Sequence, residues 1–101
     1  MPTQAHTIND ILPTLRTLQS VISRQYRAEI IGIFGSYARG EARQDSDLDL
    51  LVRFFEGASL FDFTGLADFL EEQMHLKVDL VSERALREEL KAPILQEVVP
   101  I

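Results

Sequence analysis

Asp47 and Asp49 stand one strand-step apart at the head of an apolar run, and few environments tolerate them there. In Asp47-Leu48-Asp49-Leu50-Leu51-Val52-Arg53-Phe54, period-two alternation puts Asp47, Asp49, Leu51 and Arg53 on one face. Leu48, Leu50, Val52 and Phe54 take the other face. Two carboxylates on one face repel at this distance, so the arrangement is costly unless a divalent cation is held between them. The strand must therefore bury one side while its other side meets an ion or solvent.

The segment upstream suits that demand. Ile30, Ile31, Ile33 and Phe34 make an apolar run that reads as a buried strand and breaks at Gly35-Ser36. Ten residues separate Ser36 from Asp47. Three short motifs compete for the stretch. Gly35 and Gly40 have P-loop spacing, but Glu41 stands where that motif needs lysine. Asp45, Asp47, Asp49 and Glu56 fall on EF-hand positions 1, 3, 5 and 12, yet position 6 is Leu50 rather than glycine. The third reading is a phosphate-and-metal site. A strand that stops at Gly35 and restarts as a short helix from Ser36 offers backbone N–H groups and a hydroxyl to an anion, and glycine permits close approach. Asp47 and Asp49 would hold the cation that bridges the same phosphates. Asp79, between Val78 and Leu80, joins them if its strand lies alongside, and could then orient or deprotonate an attacking hydroxyl.

The rest of the chain reads as helices between these strands. Ile8, Ile11, Leu12, Leu15, Leu18, Ile22 and Tyr26 have helical spacing. Pro13 is best placed in a first turn, which favours Asp10 as N-cap over its competitor Thr7. The first strand spans about 28–34, a short helix covers Tyr37 to Glu41, and a loop leads to the second strand. Ser59 caps a helix to about Met74, with Asp62 three residues on and Phe63, Leu66, Leu70 and Met74 as its stripe. Lys77 to Val81 is a third strand. Ser82 can cap a helix from Glu83 to Lys91, which Pro93 interrupts before a turn carrying Ile94, Leu95 and Val98. Val98 to Ile101 is an edge strand or a plain end. The order α-β-α-β-α-β-α predicts an α/β (α+β) fold, a small sheet flanked by helices, in one domain over 1–101.

Charge narrows the partners. Residues 1–44 carry a net +2 and residues 45–101 a net −8, together the −6 of the chain. An acidic surface disfavours direct nucleic-acid binding, whereas a cation or a basic protein partner suits it. No apolar run is long enough for a membrane span and no signal pattern opens the chain. The absence of cysteine removes disulfides and thiolate metal sites and is compatible with a cytoplasmic setting.

The phrase FGSYARGEARQDSDLDLLV, followed by LFDF, KVDLV and a leucine-rich C-terminal helix, resembles the MNT-type minimal nucleotidyltransferases of the polymerase β-like superfamily. The likeness covers roughly residues 10 to 100. It implies a mixed sheet, with Gly35 and Ser36 on the triphosphate, Asp47 and Asp49 as Mg2+ ligands, and Asp79 as the third catalytic acid and metal-site carboxylate. It also implies the antitoxin of a HEPN/MNT toxin–antitoxin pair, which moves AMP from ATP to a tyrosine of the HEPN ribonuclease and so silences it in a hetero-oligomeric complex. Two alternatives remain: an antitoxin that works by steric cover alone, and nucleotidyl transfer to a small molecule. The second is disfavoured because only about twenty residues follow Asp79, little to build an acceptor pocket.

Other side chains carry weaker signals. Arg39 can reach a phosphate from the short helix, or pair with Asp45 or Glu41 instead. Arg43 reads as solvated loop, Ser46 as a brace for the turn before Asp47, and Tyr37 as core rather than base-stacking. Phe54, Phe55, Phe61 and Phe63 read mostly as core, with Phe55 or Phe61 the candidates for a partner surface. His6 and His75 have no ligand-spaced partner and are assigned no role.

Overall fold

A computed structural model describes residues 7–101. The chain runs α1 (Ile8–Tyr26), β1 (Ala28–Phe34), β2 (Leu48–Phe54), α2 (Leu60–Met74), β3 (Val78–Ser82), a 3-10 turn (Glu83–Ala85), α3 (Glu88–Glu97) and β4 (Val99–Pro100). The four strands form one mixed sheet in the order β3-β2-β1-β4. β1 is antiparallel to both β2 and β4, while β2 and β3, joined through α2, are parallel. The expected α/β sheet flanked by helices is what forms. His6 lies outside the described residues.

One face of the sheet makes the core. Leu48, Leu50 and Val52 of β2 pack there with Ala28, Ile30 and Ile33 of β1 and Leu80 of β3. The apolar stripes of α1 and α2 close over them through Ile11, Leu15 and Ile22, and Leu66, Leu70 and Met74. Ile30 and Ile33 are an odd number of residues apart, so regular alternation would send them to opposite faces. The register shift between Ile30 and Gly32 is the remedy. An extra residue at Ile31 returns Ile33 to the core and aligns Phe34 with Asp49.

Three local expectations need correcting. α1 starts at Thr7, not Asp10. Asp10 is the third residue of the helix, and its carboxylate accepts from the Thr7 N–H (3.3 Å) and hydroxyl (3.0 Å). The reciprocal cap fixes the start early enough that Pro13 falls in the helix interior, at the loss of one backbone bond. Ser59 and Asp62 make the same box at α2, as expected, with the Ser59 N–H donating to Asp62 at 2.8 Å. The helix expected over Glu83 to Lys91 is split instead. Leu86 is extended, α3 begins only at Glu88, and it continues through Pro93. Tyr37 to Glu41 forms hydrogen-bonded turns rather than a helix. Its backbone bonds run Arg39 N–H to Gly35 O, Gly40 N–H to Tyr37 O and Glu41 N–H to Ser36 O, spans of four, three and five residues that do not propagate.

Of the two readings of Val98 to Ile101, the short edge strand is the one that forms, as β4. It pairs with only Gly32 and Ile33 of β1, and at Ile30 the side-chain amide of Gln19 replaces it, donating to the carbonyl and accepting from the N–H at 3.0 Å each. A side chain at position 32 would meet the Val99 carbonyl at 2.4 Å and Val98 Cγ2 at 2.7 Å. Gly32→Ala should therefore displace β4 and cost about 1–3 kcal/mol. A lower Tm together with faster amide exchange at Val99 and Ile101 is the expected outcome; unchanged exchange there would contradict this packing.

Candidate active site

The starts of β2 and β3 are fastened together. The Leu48 N–H donates to the Lys77 carbonyl at 2.8 Å, and Glu71 of α2 accepts from the Val78 N–H at 3.0 Å. From there the parallel register runs Leu48 beside Val78, Asp49 beside Asp79 and Leu50 beside Leu80. The apolar pairs face the core, so Asp49 and Asp79 must share the opposite face. Asp47 precedes β2 by one residue and is exposed, as is Asp79, while Asp49 is half-buried.

Their proximity is expressed in the acidity of Asp49. Its carboxyl is pushed up from 3.8 to about 6, first by burial, then by the charges of Asp79 and Asp47 and by a hydrogen bond shared with Asp79. Arg39 acts in the opposite direction. Asp47 also helps raise the hydroxyl of Tyr37, after the larger effect of burial. Tyr37 is buried in the core, as the sequence reading favoured.

Gly35 completes the arrangement. It adopts φ +77°, which favours glycine, and a Cβ there would fall 2.0 Å from Oδ2 of Asp49. The carboxylate fills the space a side chain would need. The strand end thus brings bare backbone against an acidic group, the approach that a phosphate bridged by a cation requires. Ser36 is half-buried beside it. Ser46 braces the entry to β2 as expected, its hydroxyl accepting from the Arg43 N–H at 2.8 Å.

Arg39 projects from the same turn and pairs with Glu41 at 2.9 Å and with Glu97, not with Asp45. Glu97 was not foreseen: it lies 58 residues away in sequence, and no local pattern joins the two. His75 ends α2 with a left-handed backbone (φ 58°), a structural position. Phe54 and Phe63 pack together at 5.6 Å against the core, but Phe55 and Phe61 are exposed, with Leu60 beside Phe61.

The donors available to a cation are hard carboxylate oxygens, which suit magnesium rather than a soft metal. Among the described residues, no group of three or more His, Cys, Asp or Glu side chains is placed to hold an ion by itself. Burial, and after it the charges of Asp79 and Asp47, disfavour the Asp49 carboxylate, and a divalent charge held there would offset both.

A family model described as "Nucleotidyltransferase domain" matches residues 15–100. Protein adenylyltransferase MntA of Thermococcus cleftensis is 40% identical over 93 residues, 92% of this chain and 94% of that protein. A solved structure provisionally described as a minimal nucleotidyltransferase is 39% identical, with a TM-score of 0.85 over 98% of this chain and 100% of its own. A toxin–antitoxin crystal structure with AMP-PNP matches at 27% identity and a TM-score of 0.57, over 70% of this chain and 59% of its own.

The raised Asp49 predicts a pH dependence in the metal-free protein. The folded chain binds this proton more tightly than the unfolded chain, so stability falls as pH rises from 3.8 to about 6 and stays reduced above it. Asp49→Asn, melted with a chelator at pH 7.5, should gain about 1 kcal/mol, the shift being discounted for the solvent that still reaches the group. That is a rise of roughly 4–8 °C in Tm, which should vanish below pH 4. An unchanged or lower Tm at pH 7.5 would show that the folded chain does not disfavour the Asp49 charge.

Proposed function

The chain belongs to the nucleotidyltransferase domain family, and on that premise we propose that it transfers AMP from ATP to a tyrosine hydroxyl of a cognate HEPN ribonuclease toxin, as that toxin's antitoxin. The observation that carries the reading is the Asp49–Asp79 pair set against the bare backbone of Gly35. In this reading one domain over residues 1–101 does the chemistry, in the cytoplasm and within a complex with the toxin.

Gly35 and Ser36 receive the triphosphate and Arg39 supplies the cation from the same turn. Asp47 and Asp49, with Asp79 adjoining, would hold magnesium, which when bound offsets the charge on the phosphates. Asp79 orients the acceptor hydroxyl and takes its proton as the oxygen bonds to the α-phosphorus. The bond from that phosphorus to the bridging oxygen breaks, and pyrophosphate leaves with the electron pair. The relative named MntA is named for AMP transfer to protein, and the toxin–antitoxin structure holds an ATP analogue. The name accords with a protein acceptor, and the analogue with ATP as the donor. The net −8 of residues 45–101 suits a basic partner.

A second reading, neutralisation by binding alone, draws on the exposed side chains of Leu60 and Phe61 (75% and 86%). Intact masses separate the two. Mixed with the product of the neighbouring gene, ATP and magnesium, the wild type should add AMP-sized increments to the partner, and Asp47→Asn should reduce the rate at least a hundredfold. A stable complex with no mass change on either protein would leave binding as the mode of action.

A further inference from the structure

Arg39 sits on the turn that starts at Gly35, its N–H donating to the Gly35 carbonyl at 3.1 Å. Gly35 lies against the Asp49 carboxylate, so the side chain of Arg39 is within reach of a phosphate held there. Its guanidinium is already engaged. Nε donates to Glu41 at 2.9 Å and Nη1 donates to Glu97. The two acceptors differ in kind. Glu41 is two residues away on the same turn and its side chain is 66% exposed, so it moves with Arg39 and the pair is screened by water. Glu97 ends α3, its side chain is only 25% exposed, and it reaches Arg39 across the fold. Two carboxylates on one guanidinium leave a net negative charge beside Asp47, Asp49 and Asp79. An incoming polyphosphate meets repulsion unless it takes donors away from a carboxylate.

We propose that Glu97 is a positioning residue that competes with the nucleotide's phosphates for the Arg39 guanidinium and so sets nucleotide affinity. This rests on the nucleotidyl-transfer reading above. Bidentate recognition of a phosphate needs two neighbouring N–H groups of the guanidinium fork, and Glu97 occupies one side of it. Competition is reciprocal: a nucleotide that draws Arg39 away must loosen the last turn of α3 by the same free energy that Glu97 costs the nucleotide. α3 is prepared for that, since none of its residues is buried. Beyond Glu97 the segment is held by β4 at Gly32 and Ile33, by the Ile101 N–H to the Ile31 carbonyl at 3.4 Å, and by Arg16 to the Ile101 carbonyl at 3.4 Å.

The test is a titration of MgATP into wild type, Glu97→Gln, Arg39→Ala and the double variant, with steady-state kinetics alongside. Glu97→Gln keeps the shape of the side chain and removes its charge. It should bind MgATP about three- to tenfold more tightly, with the change falling on KM for ATP rather than on kcat. Arg39→Ala should weaken binding, and adding Glu97→Gln to it should change nothing more. Hydrogen exchange gives a readout that needs no turnover: MgATP should speed exchange at residues 95–98 in the wild type and leave Glu97→Gln unaffected. Unchanged or weaker binding by Glu97→Gln overturns the proposal, as does equal tightening with Arg39 absent, which would be charge relief without competition. A wild type that binds no MgATP would instead bring down the nucleotidyl-transfer reading, and this inference with it.

Discussion

Everything at the site depends on two like charges being held side by side by a sheet that has no alternative register. Asp49 lies beside Asp79 because Leu48 lies beside Val78 and Leu50 beside Leu80. A slip of one residue would send those apolar side chains to the opposite face and bring the aspartates into the core. Leu48 and Leu50 are fully buried, so the hydrophobic penalty of the slip far exceeds the electrostatic strain of the pair. The core face thus imposes on the other face an arrangement it would not adopt alone. Strain of this kind, kept in place by packing elsewhere, is how folded chains prepare a charged site.

The same logic reaches β1. The bulge at Ile31 lets one strand send Ile30 and Ile33 to the core while aligning Phe34 with Asp49. That alignment brings Gly35 against the Asp49 carboxylate, where only a residue without a side chain fits. The glycine therefore serves geometry twice, by its positive φ and by the space it leaves. Arg39 follows on the same turn, within electrostatic reach of Asp49. Two strand ends and one turn bring the Gly35 backbone, the Asp49–Asp79 pair and Arg39 to one edge of the sheet.

Much of this was legible in the chain. Period-two alternation over Asp47 to Phe54 located the strand and its two faces, and the Ser59–Asp62 spacing located the start of α2. Asp79 stood out because it interrupts an apolar run. Other features left no local trace. Strand order and direction follow from which surfaces meet in three dimensions. The turn from Tyr37 to Glu41 looked helical because its residues do not forbid a helix, but five residues cannot offset the cost of starting one. Pro13 and Pro93 read as helix boundaries, yet in each case the surrounding helix tolerates one missing bond. The Arg39–Glu97 contact spans 58 residues and was invisible to any pattern of spacing.

The proposed function has one central claim, that the carboxylates hold a cation against a nucleotide's phosphates. Calorimetric titration of magnesium into the protein saturated with a non-hydrolysable ATP analogue addresses it most directly. The expected result is a magnesium-binding event that needs the nucleotide and is lost in both Asp49→Asn and Asp79→Asn. Magnesium binding that proceeds equally in wild type and both variants would contradict it, and would reduce the aspartate pair to a strained surface feature with no part in phosphate chemistry.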